Sequence, residues 1–106
     1  MTPMDADILS AARTLAATAG SPVRVILFGS HARGDEHARS DLDFLVIEPT
    51  VHDRHAEMVR LRSALRGLGR PIDVLVYSEE QVEEWGEAPG TALHAALAEG
   101  RVLVEA

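Results

Sequence analysis

The chain has 106 residues, 46% hydrophobic and 25% charged, with a formal net charge of −7; this composition predicts one domain over residues 1–106 with its own core and excludes a disordered or fibrous chain. It contains no cysteine and its ten basic residues are all arginine, which excludes a disulfide framework, a thiolate zinc site, a cysteine nucleophile and the lysine of a P-loop, while the acidic balance argues against direct binding of extended nucleic acid. The opening MTPMDADILS lacks the basic segment and apolar run of a signal peptide, and no stretch approaches the roughly 20 apolar residues that span a bilayer, so no membrane partner is expected and the expected location is the cytoplasm.

Thr2 before Pro3 reads as a helix N-cap, and Ile8, Ala12, Leu15 and Ala19 recur at helical spacing until Gly20, which predicts a first helix over about residues 3–19. After Ser21 and Pro22, the β-branched run from Val23 to Phe28 has the length and composition of a buried strand. A polar loop from Gly29 to Ser40 separates it from a second apolar run, Leu42 to Ile47. Pro49 and Thr50 close that strand, and Met58, Leu61, Leu65 and Leu68 mark one face of a helix ending at Gly67 to Gly69. A third strand follows Pro71 as IDVLVY, and Ser78 with Gln81 forms a capping box for a short acidic helix through Trp85. Gly86 to Gly90 is a break before a last helix, TALHAALAEG, and a final strand, RVLVE. Val82, Trp85, Leu93 and Leu97 read as core packing rather than a partner surface. The order α-β-β-α-β-α-α-β, without repeats or linkers, predicts an α/β (α+β) fold with one mixed sheet and helices packed on it.

Three acids fall at strand starts. Side chains alternate between the faces of a strand, so Asp41 and Asp43 share a face with Leu45 and Ile47, and Asp73 shares its face with Leu75 and Tyr77. A strand–helix–strand crossover makes the second and third strands parallel, which brings their starting ends together if they are neighbours. An isolated D-x-D is compatible with acids that cap strand ends in solvent; three acids on matching faces favour a site for a hard divalent cation, because converging carboxylates repel one another and lose hydration unless a cation relieves them. Oxygen ligands suit magnesium or manganese. Gly29 and Ser30 follow the first strand directly, where a glycine lets the backbone approach a phosphate and a serine adds a hydroxyl donor.

The string GSHARGDEHARSDLD, from Gly29 to Asp43, resembles the signature of the DNA polymerase beta-type nucleotidyltransferase superfamily. Its inner pattern G-S-x-A-R-G, ending S-D-L-D-F-L-V, is similar in particular to the minimal nucleotidyltransferases of bacteria and archaea. The resemblance covers Val23 to Tyr77 and extends to the closing EGRVLVE. It implies a polymerase beta-like nucleotidyltransferase fold in which Gly29 and Ser30 hold the triphosphate of ATP, Asp41 and Asp43 bind two magnesium ions, and Asp73 completes the metal site and serves as base. It also implies that Arg33 neutralises phosphate charge. His31 stands where relatives often carry arginine or tyrosine, which links position 31 to substrate choice rather than to the metals; His31 and His37 are given no metal role.

Larger members of the superfamily hold the acceptor on an added helical domain, which a chain of this length does not build. Short relatives resemble the antitoxin half of a two-protein module whose other half is a HEPN-domain RNase toxin. The resemblance therefore implies transfer of AMP from ATP to a tyrosine of a cognate HEPN toxin, in a hetero-oligomer. Two other readings remain open: neutralisation of the toxin by binding alone, and adenylylation of a small molecule, as in the aminoglycoside nucleotidyltransferases that the motif also resembles.

Overall fold

A computed structural model describes residues 6–20, 23–29, 32, 34 and 41–105. Helix α1, Ala6–Ala19, buries Ile8, Ala11, Ala12 and Leu15, the stripe that a period of 3.6 residues produces. It stops at Gly20, whose φ of 82° suits glycine and whose N–H donates to the Ala16 carbonyl at 3.1 Å. The predicted cap at Thr2 and Pro3 lies outside the described residues.

Four strands, β1 (Arg24–Phe28), β2 (Leu42–Glu48), β3 (Ile72–Ser78) and β4 (Arg101–Glu105), form one sheet in the order β3-β2-β1-β4. Strand β2 runs antiparallel to β1 and parallel to β3, and β4 is antiparallel to β1 with a bulge opposite Val25 and Ile26. The expected parallel pairing of the second and third strands is therefore present. The sheet is mixed, and among the described residues no helix is long and apolar enough to cross a membrane.

Alternation along the strands divides the core in two. Val25, Leu27, Leu42, Phe44, Val46, Ile72, Val74 and Val76 pack under α1 and under α2 (Arg54–Ser63), which contributes Leu61. Ile26, Leu45 and Ile47 point the other way, against Leu93 and Ala96 of α4 (Ala92–Glu99), with Val82 of α3 (Glu79–Trp85) beside them. Strand β2 is covered on both faces over most of its length, which is why its sequence is nearly continuous in apolar residues. Removing a buried ring such as Phe44 leaves a cavity in this layer and costs about 3–5 kcal/mol.

Two expectations need correction. The helix after β2 ends at Ser63, and a single 3-10 turn, Arg66–Leu68, carries the chain to Gly69, whose φ is 73°. Leu65 is still buried and Leu68 partly so, but the two glycines favour a tightened turn over a further helical turn. Of the residues read as core at the end of the chain, Leu93 is buried and Val82 and Leu97 are partly buried, whereas Trp85 remains 48% exposed at the end of α3.

Caps fix the remaining boundaries. Asp53 accepts from the Ala56 N–H at 3.0 Å to start α2, and Thr91 accepts from the His94 N–H at 3.0 Å to start α4. The predicted capping box is present: the Gln81 N–H donates to Ser78 Oγ at 3.2 Å and the Ser78 N–H donates to Gln81 Oε1 at 2.9 Å.

Candidate functional site

The site lies where β1 ends and β2 and β3 begin. Antiparallel pairing sets Phe28 opposite Asp43, so the turn at Gly29 leaves β1 beside the Asp43 carboxylate. Parallel pairing sets Asp43 directly beside Asp73, in register on adjacent strands. Both belong to the face that carries Leu45, Ile47, Leu75 and Tyr77, at the end beyond the apolar cover of α4. Asp43 is half-buried and Asp73 is exposed. The start of the pair is fixed by the Leu42 N–H, which donates to the Pro71 carbonyl at 3.0 Å.

Gly29 shapes the opening. Its φ is 77°, a conformation that L side chains rarely adopt, and its carbonyl accepts from the Ala32 N–H at 3.1 Å to form the turn. A Cβ at this position would fall on Asp43 Oδ2 and lie 3.2 Å from Asp43 Cγ. Only a glycine allows this close approach, because the Asp43 carboxylate occupies the space that a side chain would take.

Asp41 stands exposed immediately before β2. Ser30 and Arg33, with His31 and His37, lie outside the described residues. Among the described residues no three histidine, aspartate or glutamate side chains are gathered closely enough to hold an ion, so what the structure brings together is a pair, Asp43 and Asp73, with Asp41 at its margin. An open pair of hard oxygen donors fits magnesium, which is commonly held by one or two carboxylates while substrate phosphates and waters complete its shell.

The order of pairing explains what sequence reading alone does not reach. D-x-D and the later aspartate are visible as motifs, but the contact between Gly29 and Asp43 depends on the β1–β2 register. The motif from Gly29 to Asp43 joins the two residues in sequence, but it does not show that they touch.

The chain belongs to the nucleotidyltransferase domain family, whose model matches residues 8–101. Its fold is that of two solved structures. One is described as a toxin–antitoxin with AMP-PNP, at a TM-score of 0.69 and 18% identity, covering 96% of this chain and 75% of the other. The second is a mutant toxin–antitoxin MntA-HpeT, at a TM-score of 0.68 and 17% identity, covering 93% and 73%. At these identities the likeness establishes the fold alone. A comparison with curated proteins returned no match.

Proposed function

We propose that the chain transfers AMP from ATP to a protein acceptor, a tyrosine of a cognate HEPN toxin, and thereby acts as the antitoxin of a two-protein module. The observation that carries this reading is the in-register pair Asp43 and Asp73 beside the glycine turn against which the Asp43 carboxylate packs. Membership of the nucleotidyltransferase family supplies the reaction class. The solved structures of similar fold are described as toxin–antitoxin assemblies, one of them with AMP-PNP, which supports both a toxin partner and an adenine nucleotide.

In this reading Gly29 and Ser30 receive the triphosphate through backbone N–H groups and the serine hydroxyl, and Arg33 balances phosphate charge. Asp41, Asp43 and Asp73 would hold two magnesium ions, for which manganese could substitute. Such ions stabilise the attacking and leaving oxygens of an in-line displacement. Asp73 accepts the proton of the acceptor hydroxyl as its oxygen bonds to the α-phosphorus. The bond from that phosphorus to the bridging oxygen breaks and pyrophosphate leaves. Asp73 suits this role because it is the exposed member of the pair and heads an edge strand, open to a second macromolecule.

The test uses α-labelled ATP, magnesium and the co-expressed partner, with Asp43→Asn in parallel. Label on the partner that disappears with the variant is the expected result. Co-purification of the two proteins without any label would assign neutralisation to binding alone, and label on an aminoglycoside instead would assign the site to a small acceptor.

A further inference from the structure

Away from the carboxylates, a groove of about 580 Å3 runs along the outer side of α2, the 3-10 turn and the start of β3. Val59, Leu65 and Ile72 give it an apolar floor and flank, and Arg62, Arg66 and Arg70 line it with three guanidinium groups. This concentration is unexpected in a chain of net charge −7.

The neighbouring arginines are committed to the fold. Arg54 donates from Nε to the Val76 carbonyl at 2.6 Å and stacks 4.2 Å from the centre of the Tyr77 ring. Arg60 grips Glu57 with two hydrogen bonds of 2.7 Å and reaches the Thr18 carbonyl at 2.8 Å. Arg62 and Arg66 are different: both are exposed, and neither has an ion-pair partner among the described residues. Arg70 makes a loose contact with Asp7 at 3.9 Å. Like charges assembled around one groove repel, and nothing within the described fold offsets the repulsion at Arg62 and Arg66. An anionic occupant does so.

Two features narrow the occupant. More than half of the lining is apolar, which suits a polypeptide with acidic and apolar side chains better than a bare phosphate backbone, and the planar fork of arginine matches carboxylates bidentately. The second feature is position. Ile72, at the end of the groove, immediately precedes Asp73, and β3 is an edge strand with the two side chains on opposite faces. A chain that leaves the groove and crosses this edge meets the carboxylate one residue further on.

We propose that this groove docks an acidic segment of the protein acceptor, held by Arg62, Arg66 and Arg70 so that the acceptor hydroxyl is delivered across the β3 edge to Asp73. The inference rests on the reading of the site as a protein adenylyltransferase.

The test is binding of a short fluorescent peptide of alternating glutamate and tyrosine at low salt, to the wild type and to the double variant Arg62→Glu/Arg66→Glu. Both substituted positions are exposed, so a matching circular dichroism spectrum and melting curve are expected to show that the variant is folded. The expected result is affinity that weakens about tenfold in the variant and falls as salt is raised, with a matching rise in KM for the protein acceptor rather than a fall in kcat. Equal binding by both proteins, or none by either, would overturn the proposal. So would preference for a short single-stranded RNA that depends on the same arginines, which would give the groove to a nucleic acid. Arginine-dependent peptide binding without AMP transfer by the wild type would remove the transferase reading and leave the anionic docking groove standing. Transfer by the double variant with an unchanged KM for the acceptor would remove the groove and leave the transferase.

Discussion

Gly29 and Glu48 occupy opposite ends of the central pair of strands, and each turns a single side-chain choice into a measurable property. Gly29 combines a φ of 77° with a position where a Cβ would meet the Asp43 carboxylate. Gly29→Ala must therefore strain the turn and push Asp43 out of line. The expected outcome is a loss of about 1–3 kcal/mol in urea denaturation together with loss of nucleotide-dependent activity. A neutral effect on both would show that the turn is not held against the carboxylate.

Glu48 ends β2 on the α1–α2 face, 5% exposed, with its Oε2 buried and without a hydrogen-bond partner among the described residues. Burial raises its pKa from 4.5 to about 7, helped by a hydrogen bond to Glu57 and by the Glu57 charge, and opposed by Arg60. Glu57 is held below the ordinary value, first of all by its hydrogen bond to Arg60. In the fold, then, Glu48 holds its proton well above the ordinary carboxylate range, whereas Glu57 favours its charged form. Because the folded protein holds the Glu48 proton more tightly than the unfolded chain, this group's contribution to stability is complete below pH 4.5 and declines as pH rises through about 7. Glu57 acts in the opposite sense at more acid pH. Glu48→Gln keeps a neutral donor toward Glu57 and removes the titration. Denaturation followed across pH should show the slope between pH 4.5 and 7 flattened, and the variant gaining about 1–3 kcal/mol on the wild type above pH 7.

At the scale of elements, helix α3 illustrates how much of the fold rests on short local signals. It has only seven residues, four of them glutamate, and none of its residues is buried. Helices this short are marginal alone, so the reciprocal hydrogen bonds of Ser78 and Gln81 matter more than propensity. Ser78→Ala should cost about 1 kcal/mol in chemical denaturation. Because α3 supplies Val82 to the layer that covers Leu45 and Ile47, the loss should spread to that face of the sheet and appear as faster amide exchange in α4. The capping box was legible because both partners lie within one turn. The end of α2 was not: Leu65 and Leu68 keep the apolar spacing of a helix, but the glycines after them permit a tighter turn, and packing of Leu65 is met by either geometry.

At the scale of the whole molecule, the paired aspartates and the groove arginines fall on opposite faces of the sheet. Asp43 and Asp73 stand side by side on one face, and the groove lined by Arg62, Arg66 and Arg70 opens beside the same edge on the other. Neighbouring carboxylates on adjacent strands weaken the fold until a cation lies between them. Magnesium should accordingly raise the melting temperature of the wild type, with a further rise when ATP is added, and should have little effect on Asp43→Asn. Equal magnesium dependence in the two proteins would place the ion elsewhere.

The sequence by itself determined the order of elements, most of their boundaries, and the face of each strand on which Asp43 and Asp73 lie, since periods of two and 3.6 residues and the caps that punctuate them are local properties of the chain. Only the tertiary structure decided that Asp43 pairs with Asp73, that Gly29 presses against Asp43, that Glu48 loses its water beside Glu57, and that three arginines share one groove with Ile72. Each of these depends on register or burial between segments far apart in sequence, and neither quantity is encoded in the spacing of residues within a single element.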